Sequence, residues 1–108
     1  MSTLGENAVN DLWQLRVRLL LSIQRALLGE VTPNIRVVTA QTDAQIIVLR
    51  WIIDGEISDS FRLDLSAVGA EVVADFATHE VAEEFIRCDA SHAMDELYLD
   101  DVAYARKE

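Results

Sequence analysis

The run Ile46-Ile47-Val48-Leu49-Arg50-Trp51-Ile52-Ile53 constrains the fold more than any other part of this chain. It is rich in β-branched and aromatic residues, and apart from Arg50 it is apolar on both faces that a strand presents. Such a strand must be covered on both sides and flanked by other strands, so it reads as central. Asp54-Gly55 punctuates its end. Ile35 to Gln41 reads as the preceding strand, with Ile35 and Val37 expected on one face and Arg36 and Val38 on the other. Thr42-Asp43 is the turn between them.

Upstream, Leu12, Leu15, Leu19, Ile23 and Leu27 recur at the helical period. Asn10 suits a cap, Gly29 suits the C′ position and Pro33 forbids continuation, so a helix is predicted over about 11–28, after a loose lead-in at residues 1–9. Trp13, Val17, Leu20, Leu21 and Leu28 widen its apolar stripe beyond a single seam. The excess, Trp13, Val17 and Leu21, suits packing on a second copy of the chain. Downstream, Ile57, Phe61 and Leu63 fit a third strand, but Phe61, Leu65, Val68, Val72 and Phe76 repeat helically behind a Ser58 cap. A helix over about 59–77 is the preferred reading, with Gly69 marking close packing against the first helix. Val81 to Cys88 alternates as a strand, Asp89 to Asp95 is a polar connection, and Leu97 to Ala105 reads as a last strand. On that strand Tyr98, Val102 and Tyr104 share one face, and Leu97, Leu99 and Asp101 share the other.

The order is α-β-β-α-β-β, two copies of a helix followed by a hairpin. The expected fold is α+β, a four-stranded, mostly antiparallel sheet with both helices on one face and the other face partly open. With 108 residues, of which 51% are hydrophobic, residues 1–108 read as one domain with a real core. No apolar run is long enough to span a bilayer, and the N-terminus lacks a secretory pattern, so a cytoplasmic protein without membrane contact is expected.

The charge is unevenly placed. Nine Lys+Arg stand against nineteen Asp+Glu, a net −10. Residues 1–53 carry four acids and five arginines, whereas residues 54–101 carry fourteen acids and only Arg62 and Arg87. That field repels nucleic acid and steers basic partners.

No catalytic or cofactor pattern emerges. Cys88 and His92 are the only pair with ligand-like spacing, with His79, Glu83 and Asp89 near in the chain, and a metal site needs three or four converging ligands. Adjacent acids such as Glu83/Glu84, Asp95/Glu96 and Asp100/Asp101 point to opposite faces of a strand; Glu83 and Asp101 could converge across the second hairpin, as could any acids this dense. There is no phosphate-binding glycine loop. The chain is therefore read as a non-enzyme with no cofactor and no metal.

The segment Leu19-Leu20-Leu21-Ser22-Ile23-Gln24-Arg25-Ala26-Leu27-Leu28-Gly29-Glu30-Val31-Thr32-Pro33-Asn34-Ile35-Arg36 resembles the opening of a small bacterial family of roughly this length. Asp54-Gly55-Glu56-Ile57-Ser58, Glu71 to Phe76, Glu83 to Arg87 and Tyr104-Ala105-Arg106-Lys107-Glu108 are similar to its later blocks, in order. The chain departs from the pattern after Asp89, where a proline-rich connection is expected, and in its Trp-containing start. Most members have no assigned role, and some look like immunity proteins for secreted bacterial toxins.

The resemblance and the charge together imply an acidic protein-binding module, an immunity protein for a basic nuclease-type toxin. Glu83, Asp89, Asp95, Glu96, Asp100 and Asp101, with Glu80 and Glu84, would mimic phosphates, and Tyr98 and Tyr104 would be the contact aromatics. The alternative is a small cytosolic homodimeric module, favoured by the surplus apolar surface.

Overall fold

The computed structural model describes residues 4–108, with side chains from Asn10 onward. Its elements are α1 (Leu4–Ala26), β1 (Ile35–Thr42), β2 (Ile46–Ile53), α2 (Asp59–Asp75), β3 (Glu80–Arg87) and β4 (Asp101–Ala105). The strands form one sheet in the order β3-β2-β1-β4. β1 is antiparallel to β2 and to β4, and β3 is parallel to β2. The fold is α+β, with the predicted order of elements and a mostly antiparallel sheet.

The helix-side core joins Leu15, Leu19 and Ile23 of α1, Leu27 of the turn after it, and Leu65, Val68 and Val72 of α2 to Ile47, Leu49, Trp51 and Ile53 of β2 and to Ile35, Val38 and Ala40 of β1. Both helices thus lie on one face. A smaller cluster on the opposite face holds Val37, Ile52 and Cys88, with Met94 and Leu97 against it. β2 is covered on both faces, as its composition demands.

Local signals act where expected. Ser58 Oγ accepts from Phe61 N at 3.1 Å and caps α2, so residues 59–64 are helical and the stretch from Ile57 forms no strand. Gly29, at φ +78°, turns the chain after α1. Asp43 Oδ1 accepts from the amides of Gln45 and Ile46, both at 2.7 Å, and closes the β1–β2 turn. Those two amides hold the Asp43 carboxyl below its ordinary range.

Five expectations are corrected. Residues 4–9, read as a loose lead-in, belong to α1, while residues 1–3 lie outside the described residues. Once the following turns exist, extending a helix is cheap, and an internal Asn10 costs only a few tenths of a kcal/mol, roughly. β1 has a register shift between Ile35 and Val37, which puts Val38 and Ala40 with Ile35 on the helix side and Val37 on the other. Simple alternation would pair Ile35 with Val37 on one face. Gly69 packs against the Glu83 carboxylate of β3, not against α1.

The fourth correction concerns topology. β3 and β4 do not form a hairpin; they lie at opposite edges of the sheet. α2 returns the chain so that β3 runs parallel to β2, and a hairpin partner beside β3 is replaced by a crossing. Residues 88–100 can span about 40 Å when extended, against about 14 Å for three strand spacings. They cross the face away from the helices, so that face is partly covered. Glu83 and Asp101, placed on opposite edge strands, do not converge.

Last, β4 begins at Asp101, and residues 97–100 belong to the crossing segment. Tyr98 and Tyr104 therefore do not share a strand face: Tyr104 packs against the helix-side core, and Tyr98 sits exposed on the crossing.

Candidate functional site: a pinned acidic segment

The crossing segment, residues 88–100, has no regular ladder of its own and is held by side chains from the sheet. Arg36, only 3% exposed, puts Nη1 at 3.0 Å from each of the carbonyl oxygens of Cys88, Asp89 and His92. Its Nε and Nη2 donate to the two carboxylate oxygens of Glu108, both at 2.7 Å. A buried guanidinium needs such a partner, and the pair is bidentate. The Arg36 bond holds the Glu108 carboxyl down to about 2, and Arg106 adds to it at 3.1 Å. Glu108 in turn keeps the Arg36 guanidinium above its ordinary range.

Farther along, Arg50 Nη1 donates to Leu97 O at 2.9 Å while Nη2 pairs with Glu84 at 3.2 Å. Thr39 Oγ1 donates to Asp101 O at 2.6 Å and accepts from Leu99 N at 3.0 Å. The lone polar residue in the central strand is thus an anchor for the segment above it.

The predicted site residues divide by environment. Asp95, Glu96, Tyr98 and Asp100 are exposed on the segment, and the three acids form no ion pair among the described residues. Asp89 is engaged: it accepts from Arg87 Nε at 3.0 Å and Gly55 N at 2.8 Å, which hold its carboxyl below its ordinary range. Asp101 takes a bidentate bond from Arg16 at 2.9 and 2.6 Å, tying β4 to α1. Glu83 faces α2, accepting from Trp51 Nε1 and Ser66 Oγ, each at 3.1 Å. Tyr104 is half-buried. Sequence reasoning missed Arg36, Arg50 and Thr39 as supports; an arginine inside an apolar strand is the signal that points to one of them.

Cys88 and His92 do not meet through their side chains. Cys88 Sγ lies near the His92 and Ala93 carbonyls, and the His92 ring contacts Ser91 Oγ. Among the described residues no group of three or more His, Cys, Asp or Glu is placed to hold a metal. An open cleft of about 460 Å³ between α1 and the β1–β2 turn is lined by Asp11, Leu12, Gln14, Leu15, Arg18 and Ala44, which supply no nucleophile and base. Among the described residues no helix is long and apolar enough to cross a membrane.

A second surface lies on α1. Trp13 (61% exposed), Val17 and Leu21 run along it and Leu28 (76% exposed) follows in the turn after it, while Leu15, Leu19, Ile23 and Leu27 are buried. Arg16 stacks on the Trp13 ring at 5.6 Å from its centroid.

No curated protein matches the chain. The family model described as MafI2 immunity protein matches residues 16–108, which take in the C-terminal part of α1, the whole sheet, α2 and the crossing segment. On that match the chain belongs to the MafI2 immunity protein family.

Proposed function

We propose that this protein is a cytoplasmic immunity protein that neutralises a basic, nuclease-type toxin by occluding its active site, with no chemical step of its own. Family membership supplies the toxin partner in general terms. The observation that carries the finer reading is the segment at residues 88–100: Asp95, Glu96 and Asp100 are exposed and unpaired beside the exposed ring of Tyr98, on a backbone pinned at both ends. Carboxylates in that setting offer a nuclease the negative charge its phosphate site is built to take, and the tyrosine supplies contact area. Glu83, Asp89 and Asp101, already bonded within the protein, add to the field without direct contact.

The test is association with the purified toxin domain at several salt concentrations. Replacing Asp95→Asn, Glu96→Gln and Asp100→Asn together moves the net charge from −10 to −7. It should slow association about tenfold and flatten its salt dependence, with little change in melting temperature. Unchanged association kinetics would remove the acidic segment from the mechanism.

A second reading, a homodimeric module, is favoured by the α1 stripe. Three large apolar side chains on one solvent-facing side of a helix, with Leu28 just beyond its end, suit a second copy of the same surface. The two readings use different faces of the molecule and are compatible.

A further inference from the structure

We infer that Arg36 and Arg50 are positioning residues for partner binding: they fix the crossing segment by its carbonyl oxygens, so that Asp95, Glu96, Tyr98 and Asp100 stand in one arrangement before a partner arrives. The inference rests on the reading of this segment as the toxin-binding surface.

The argument starts from what the segment lacks. Residues 93–100 make few backbone bonds of their own, chiefly Leu97 N to Met94 O at 2.8 Å. Four acids (Asp89, Asp95, Glu96 and Asp100) crowd residues 88–100, and their mutual repulsion favours an extended, moving chain. Two cations set into the sheet oppose this. Arg36 holds the first part at Cys88, Asp89 and His92. Arg50 holds Leu97, immediately before Tyr98, and Thr39 holds Leu99, immediately before Asp100. Asp95 and Glu96 lie between the two anchors. A surface ordered in advance loses less entropy on binding, and the gain appears in slower dissociation.

The inference separates from simple charge steering by sign. Arg50→Met takes the net charge from −10 to −11 and frees Glu84 from its partner. If charge alone governs binding to a basic toxin, this variant binds faster and tighter. If Arg50 positions the segment, dissociation from the purified toxin domain accelerates about tenfold while association is not slowed. Hydrogen exchange supplies a readout that needs no partner. The Leu97 and Leu99 amides should exchange about tenfold faster, with β1 and β2 unchanged, whereas a merely structural loss would speed exchange in all strands. Arg50→Lys keeps the charge and a donor for Leu97 O, and should recover part of both effects. Should Arg50→Met not fold, Thr39→Val, close in shape but without the hydroxyl, reads the same two quantities.

Tighter binding by Arg50→Met, or exchange at Leu97 and Leu99 equal to the unmodified protein, overturns the proposal. Faster exchange with unchanged dissociation also overturns it, and leaves the immunity reading standing with its site on another surface. No binding of the toxin domain by the unmodified protein overturns the immunity reading itself, and this inference with it.

Discussion

Gly69→Ala reverses the usual sign of a glycine replacement in a helix. In the interior of a helix such as α2, alanine ordinarily gains about 1 kcal/mol over glycine. At this position a β-carbon would meet the Glu83 carboxylate, whose Cδ lies 2.8 Å from where it would stand. The carboxylate is the free end of a flexible side chain, so it is displaced. Displacement breaks its bonds from Ser66 Oγ and from Trp51 Nε1. Trp51 is fully buried, so no water replaces the lost partner of its N–H. A buried donor left unpaired costs about 1–3 kcal/mol, and a hydrogen bond to an ionised acceptor is worth about 1.5–3 kcal/mol. With about 3 kcal/mol lost and about 1 kcal/mol gained, Gly69→Ala should destabilise the protein by about 2 kcal/mol, which lowers the melting temperature by about 10 °C in a domain of this size. Urea and thermal unfolding measure it directly. In a Glu83→Ala background there is no carboxylate to displace, and the same Gly69→Ala change should stabilise by about 1 kcal/mol. A neutral or stabilising effect in the unmodified protein would refute the reasoning.

Two further outcomes follow from the geometry. Glu108 titrates at about 2 in the folded protein against an ordinary value of 4.5. The unfolded chain therefore takes up the proton first as pH falls. Stability from this group is complete above about pH 4.5 and is lost as pH drops towards 2. Glu108→Gln should be less stable at neutral pH, and its urea midpoint should converge on that of the unmodified protein near pH 2; parallel pH profiles would count against the Arg36–Glu108 clamp. On α1, Trp13→Ser with Leu21→Glu should turn a dimer into a monomer in sedimentation velocity and make the melting temperature independent of protein concentration, and a monomeric unmodified protein would retire the dimer reading.

The elements were readable because each carries a local cause. The two-sided apolar pattern of residues 46–53 made β2 central, and Ser58 with the repeat from Phe61 to Phe76 made α2 a helix. The pairing of the last two strands was not readable from periodicity. Alternation locates a strand without naming its neighbour, and the long polar stretch after Cys88 fits a wide turn as well as a crossing. Its length, with no tight-turn pair in it, was the available sign against a hairpin. The candidate site was legible in part. Charge density marked the region, but burial and pairing decide which acids are free. Glu83, Asp89 and Asp101 look like Asp95, Glu96 and Asp100 in sequence, and only the folded chain sets Trp51, Gly55 and Arg16 against the first three.

The clamp between Arg36 and Glu108 joins residues 72 positions apart, and this has a consequence for biosynthesis. β1 and β2 are adjacent in sequence, so their hairpin can close early. The other edge of β1 stays unpaired until β4 arrives, and the Arg36 guanidinium has no counter-ion until Glu108 leaves the ribosome. A chain lacking Glu108 would leave a buried cation uncompensated, and one lacking β4 as well would add an open strand edge, a combination that invites aggregation and proteolysis. The fold thus closes its two open points, the edge of β1 and the charge of Arg36, with residues far downstream of both, so neither is satisfied by the early hairpin alone.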